Sequence, residues 1–80
     1  MLGEGVDLFI SPIPNSLVGK TLFESEIGAK TGLSVIAINE NNNVVTQFTS
    51  EVKLSKGAEI VMIGNGEMQR AFNLVFGGGE

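Results

Sequence analysis

Gly19-Lys20-Thr21, between a predicted strand and a predicted helix, is the segment whose residues come nearest to phosphate chemistry. A P-loop needs G-x-x-x-x-G-K-[ST], because its backbone amides wrap the phosphates while the lysine reaches the outer ones. Five residues before Gly19 stands Pro14, which has no amide hydrogen and a fixed φ. The only aspartate, Asp7, lies upstream, so none follows to hold magnesium. The segment therefore reads as a turn that caps a helix. Gly64-Asn65-Gly66 also follows a strand and opens a helix. There the third glycine of G-x-G-x-x-G is replaced by Gln69, and Glu67 sits where a phosphate would dock. These glycines read as turn chemistry. Glu24 and Glu26, two apart on a helix, point about 200° away from each other and cannot share a substrate. Met68 lies on an apolar stripe and reads as core rather than as a soft ligand.

Composition closes most other catalytic routes. The chain has no His and no Cys, which removes serine–histidine and cysteine–histidine catalysis and every zinc, haem or iron–sulfur site built on those ligands. The sequence is not that of an enzyme. Nine acidic residues against five basic ones give a net charge of −4. The bases, Lys20, Lys30, Lys53, Lys56 and Arg70, form no stripe, so no nucleic-acid partner is expected. No apolar run approaches the roughly 20 residues that span a bilayer, and the lack of Cys fits the cytoplasm. Eighty residues, 42% of them hydrophobic, make one domain that buries about 62% of its extended surface. A core of that size is marginal, and with disulfides excluded, association with another chain is the support left.

The elements that must position these residues follow from periodicity. Residues 6–10 read as a strand, closed by Pro12 and Pro14. Thr21 with Glu24 is a capping box, so a helix starts at Leu22. It continues to Thr31 and ends at Gly32, with Lys30 near its negative end. Residues 33–39 are nearly all apolar and predict a central strand covered on both faces. Glu40-Asn41-Asn42-Asn43 is a hairpin, residues 44–49 its returning strand, and residues 50–57 a loop anchored by Leu54. Residues 59–63 form a further strand. Met68, Ala71, Phe72, Val75 and Phe76 then mark a last helix. The order β-α-β-β-β-α defines an α/β (α+β) unit, a single compact domain over residues 1–80. Its core covers about 6–76, and residues 77–80 form a flexible tail. The first strand-helix-strand stretch reads as a right-handed crossover and the hairpin is antiparallel, so a four-stranded mixed sheet with two helices is expected. Two helices cannot cover both faces of that sheet, which leaves apolar surface for a partner.

Three blocks in order carry a resemblance: Leu17-Val18-Gly19-Lys20-Thr21-Leu22, then Gly32-Leu33-Ser34-Val35-Ile36-Ala37-Ile38, then Leu54-Ser55-Lys56-Gly57-Ala58-Glu59-Ile60-Val61-Met62-Ile63-Gly64. Together they resemble the TrkA-C domain, the C-terminal lobe of RCK (regulator of potassium conductance) modules, whose pattern is L-x-G-K-T-L, G-x-x-V-x-A-I and L-x-x-G-D-x-L-x-V-x-G before a helix. The resemblance implies a cytoplasmic regulatory domain of a potassium channel, potassium transporter or cation/proton antiporter, attached to the membrane-embedded part. It also implies a homodimer, with a small ligand such as the cyclic dinucleotide cyclic di-AMP held between the copies. The matching ligand positions are Leu22, Phe23, Lys30, Ser34 and Val35. Two departures stand out: Gly28 and Ser34 occupy places where cyclic di-AMP binders carry Arg and Asn, and Gly57-Ala58-Glu59 replaces the family's Gly-Asp turn. The alternative is a purely structural dimerisation module without a small ligand.

Overall fold

The computed structural model describes residues 5–77. Strand β1 (Asp7–Pro12) is followed by a single 3-10 turn at Asn15–Leu17, helix α1 (Leu22–Ser25) and helix α2 (Ile27–Thr31). Strands β2 (Ser34–Glu40), β3 (Asn43–Val45) and β4 (Glu59–Gly64) come next, and helix α3 (Gly66–Phe72) runs into one π-helical turn at Asn73–Gly77. The fold is α+β. Residues 78–80, most of the expected tail, lie outside the described residues.

The four strands lie in the order β1-β4-β2-β3, and every neighbouring pair is antiparallel. This corrects the expected mixed sheet. β1 and β2 do run in the same direction, but β4 lies between them and opposes both, so no parallel ladder forms. The hairpin is tighter than the asparagine run alone suggests. Asn41 and Asn42 both take positive φ, 55° and 66°, the pair of left-handed residues that a two-residue type I′ turn demands. The returning strand stops after Val45, and residues 46–58 leave the sheet as an irregular strap.

The expected single helix from Leu22 to Thr31 is two. Glu26 adopts the left-handed conformation (φ 55°) between α1 and α2. Its neighbour Ser25, fully buried, holds the break: its hydroxyl donates to the Leu22 carbonyl at 2.6 Å and accepts from the Ile27 amide. Thr31 repeats the device at the end of α2, donating to the Ile27 carbonyl and accepting from the Leu33 amide. Gly32 then takes the left-handed C′ position, φ 85°.

One face of the sheet carries the core. Ile60 and Met62 of β4 and Ile38 of β2 are buried beneath Ile27, Phe72 and Phe76 of the helical layer and Leu54 of the strap. On the other face Leu8, Ile10, Ile36 and Val44 remain exposed. β2 is therefore covered on one face rather than two. Gly64 closes β4 for a packing reason and not for turn flexibility, since its φ is not positive. A methyl group there would stand inside contact distance of Leu33 Cδ2 and 2.9 Å from Met68 Sδ.

Two stability outcomes follow, each read by chemical denaturation. Glu26→Gly removes the left-handed strain of a residue with a Cβ and should stabilise the chain by up to about 1 kcal/mol; a net loss would show that Glu26 is not left-handed. Gly64→Ala should cost about 1–3 kcal/mol by overpacking against Leu33. A neutral substitution would refute the close approach.

Candidate functional site

The first helix starts on a doubly tied backbone. The Thr21 hydroxyl accepts from the Glu24 amide at 3.1 Å, and the Glu24 carboxylate accepts from the Thr21 amide at 2.9 Å. The strap supplies the rest: the Leu22 amide donates to the Val52 carbonyl and the Phe23 amide to the Ser50 carbonyl. Gly19 donates to the Leu54 carbonyl, and Leu54 donates back to the Lys20 carbonyl. A helix start normally leaves four amides without partners. Here Thr21, Leu22, Phe23 and Glu24 all have protein acceptors. From Leu17 to Glu24 every amide has a protein acceptor, so the Gly19-Lys20-Thr21 segment presents none to a phosphate, which gives the broken motif a structural reason.

The five predicted ligand positions fall on two sides of this frame. Leu22 and Val35 pack against the core cluster. Phe23, Lys30 and Ser34 are exposed, Phe23 at 74%. Ser34 and Val35 are successive strand residues and must point to opposite faces. Val35 lies opposite Met62 on the core face, and Ser34 opposite Ile63 on the open face. Lys30 turns toward the C-terminal turn. Its ammonium lies 3.5 Å from the Glu26 carboxylate and 6.0 Å from the centre of the Phe76 ring. There it lines a cleft of about 180 Å³ with Ser16, Lys20 and Glu24, in which none of the other four predicted residues takes part. A larger cleft, about 400 Å³, opens between Pro12 and Pro14 on one side and Phe72 and Asn73 on the other.

Sequence reasoning read residues 50–57 as a loop anchored by Leu54 but did not give its bonds to the first helix, and it missed the break at Glu26. Ser25 and Thr31 were the available signals, since both can bond backbone groups from within a helix. Among the described residues no helix is long and apolar enough to cross a membrane.

The structure is thus a small α+β unit with one covered and one more open sheet face and a helix start whose amides are already engaged. Residues 8–77 match the model of the TrkA-C domain, and the chain belongs to that family of regulatory, non-catalytic domains. The sequence matches none of the curated proteins. Among solved structures, the GsuK channel bound to NAD is similar at TM-score 0.82 and 28% identity, covering 92% of this chain; this chain spans only 14% of that one. The RCK C domain of the potassium transport protein KtrA, in complex with cyclic di-AMP, aligns at TM-score 0.80 and 19% identity, covering 86% of this chain and 81% of that one. The RCK_C domain dimer of S. agalactiae BusR, also with cyclic di-AMP, aligns at 0.77 and 15%, covering 88% and 95%. BusR has also been solved on its busAB-promotor DNA.

The two neighbouring residues of the first turn make a sharp test of this placement. Leu22→Ala should cost roughly 1–2 kcal/mol, as a partly buried core contact is lost. Phe23→Ser should change stability by less than about 0.5 kcal/mol. Equal losses in a urea titration would mean that Phe23 is buried rather than presented outward.

Proposed function

We propose that this chain is the regulatory lobe of a potassium channel, potassium transporter or cation/proton antiporter, acting on the cytoplasmic side as a pair of copies. The observation that carries the proposal is the family match over residues 8–77, strengthened by the similarity to GsuK at 28% identity. The net charge of −4, with bases scattered along the chain, argues against a nucleic-acid partner here, although BusR was solved on DNA.

In this reading a small ligand is held between the copies, and cyclic di-AMP is the candidate. Phe23 offers an exposed aromatic face on a helix start fixed by four protein hydrogen-bond acceptors, suited to stacking on a purine. Lys30 and Ser34 supply a cation and a hydroxyl at the surface. The ligand regulates only if it binds one state of the attached protein more tightly than the other. A preformed surface helps, since little ordering is needed on binding.

The site lacks a bidentate cation for phosphate. Gly28 stands where the family's binders carry Arg, and it is exposed, with its missing Cβ facing only the Leu33 carbonyl at 3.5 Å. An arginine side chain fits there. A charge-assisted bond of that kind contributes about 1.5–3 kcal/mol. Gly28→Arg should therefore tighten cyclic di-AMP binding by roughly tenfold to a hundredfold, measured by calorimetric titration of both proteins. Absence of binding by either would sink the ligand half of the proposal and favour the purely structural dimerisation module.

A further inference from the structure

The free edge of β1 is built to pair with another strand, and we infer that its occupant is β1 of a second copy of this chain. β1 is an outer strand of the sheet, and among the described residues nothing pairs with its far side. The direction of its backbone groups follows from one hydrogen bond. The Ile13 amide donates to the Ala58 carbonyl at 3.0 Å, one residue beyond the Pro12–Glu59 pair. In an antiparallel ladder the residues that bond a given neighbour alternate. Counting back from Ile13, residues Ser11, Phe9 and Asp7 aim their amides and carbonyls at β4. Leu8, Ile10 and Pro12 aim theirs at the free edge. Pro12, which has no amide hydrogen, thus sits where it costs the β1–β4 ladder nothing.

The sequence of the edge is self-complementary about Phe9. A two-fold axis there sets Leu8 of one copy opposite Ile10 of the other, and both are outward-facing residues able to exchange a pair of backbone hydrogen bonds. In the Val6–Pro12 pair the Val6 amide donates to the Pro12 carbonyl, and the Val6 carbonyl receives no strand donor because Pro12 has no amide hydrogen, so the contact is carried by the Leu8–Ile10 pairs. Asp7 comes opposite Ser11 and not opposite Asp7, which keeps the two carboxylates at opposite ends of the contact. Edge strands that avoid such pairing carry inward charges, lysines or prolines; here Asp7 and Pro12 stand only at the two ends of β1. Between Leu8 and Ser11 there is no charge at all.

Side chains agree with the backbone. Leu8 and Ile10 are 50% and 59% exposed and lie on the open face of the sheet, beside Ile63 and Val61 of β4. Pairing two copies joins these rows into one apolar strip across an eight-stranded sheet. Antiparallel strand addition has the right geometry for a closed two-fold contact, in which the same patch serves both copies. The contact stands apart from the ligand site proposed above, which lies at Phe23 and Lys30. It does not rest on that reading, and a chain using both contacts would assemble beyond the dimer.

The test is residue-resolved amide hydrogen exchange on the unaltered chain at low and high protein concentration, with sedimentation on the same samples. The Leu8 and Ile10 amides should exchange at least about tenfold more slowly at high concentration. Association without that protection, or no association, overturns the inference. Leu8→Cys/Ile10→Cys, in a chain that otherwise lacks cysteine, should oxidise to a covalent dimer, whereas Val44→Cys at the opposite sheet edge should not. Equal cross-linking of the two would mean random collision and would also overturn it. Ile10→Lys should abolish the concentration dependence of Leu8 exchange while circular dichroism remains unchanged. Cyclic di-AMP titration of the same protein scores the ligand reading separately.

Discussion

Two helices as short as α2 and α3, with one strap, can cover a single face of a four-stranded sheet. Ile60 and Met62 of β4 are buried against that layer, while Val61 and Ile63, which alternate with them, are only half-covered. Every other feature of the molecule follows from this one-sided burial. The hydrophobic contribution scales with apolar area removed from water, about 25 cal/mol per Å². An 80-residue chain that leaves Leu8, Ile10 and Val44 in water gives up part of that contribution. Neither a disulfide nor a structural zinc site is open to a chain without Cys or His. A partner for the open face is the remaining way to recover it, and the regulatory role of the family makes association useful as well as stabilising.

The strap is the second determinant. Residues 50–54 follow neither a helical nor a strand period, yet their carbonyls take up the amides of Gly19, Leu22 and Phe23. Those bonds fix the orientation of α1 against the rest of the domain. They also settle what the Gly19-Lys20-Thr21 segment is for. A phosphate loop works by presenting free amides, and here they are already used within the fold. What the helix start beside it offers outward is a side chain, Phe23.

Legibility from sequence varied with the range of the interaction. The capping box at Thr21 and Glu24, the C′ glycine at Gly32 and the asparagine hairpin were all readable, because each is closed by residues no more than four apart. The family pattern was readable for the same reason, as ordered local blocks. The break at Glu26 was not: a left-handed glutamate has no propensity in its favour and is held by the buried hydroxyl of Ser25. The placement of the five candidate positions was half legible. Their helix and strand could be assigned, but the pleat that sends Ser34 and Val35 to opposite faces, and the turn of Lys30 toward Phe76, appear only once the register and the C-terminal turn are in place.

By itself the sequence determined which Cys- and His-based sites have no residues to build them, the order of strands and helical segments, and the family to which the chain belongs. Residue types exclude reactions directly, and hydrophobic periods of two and 3.6 define strands and helices without reference to the rest of the chain. Tertiary structure alone decided that β4 inserts between β1 and β2, turning an expected mixed sheet into an antiparallel one. Strand order depends on pairings tens of residues apart, and such pairings are chosen by which arrangement buries the most apolar surface together. It also decided which way the backbone of β1 faces. The parity of one ladder, set by a single bond from Ile13 to Ala58, leaves Leu8 and Ile10 directed at whatever strand lies beyond.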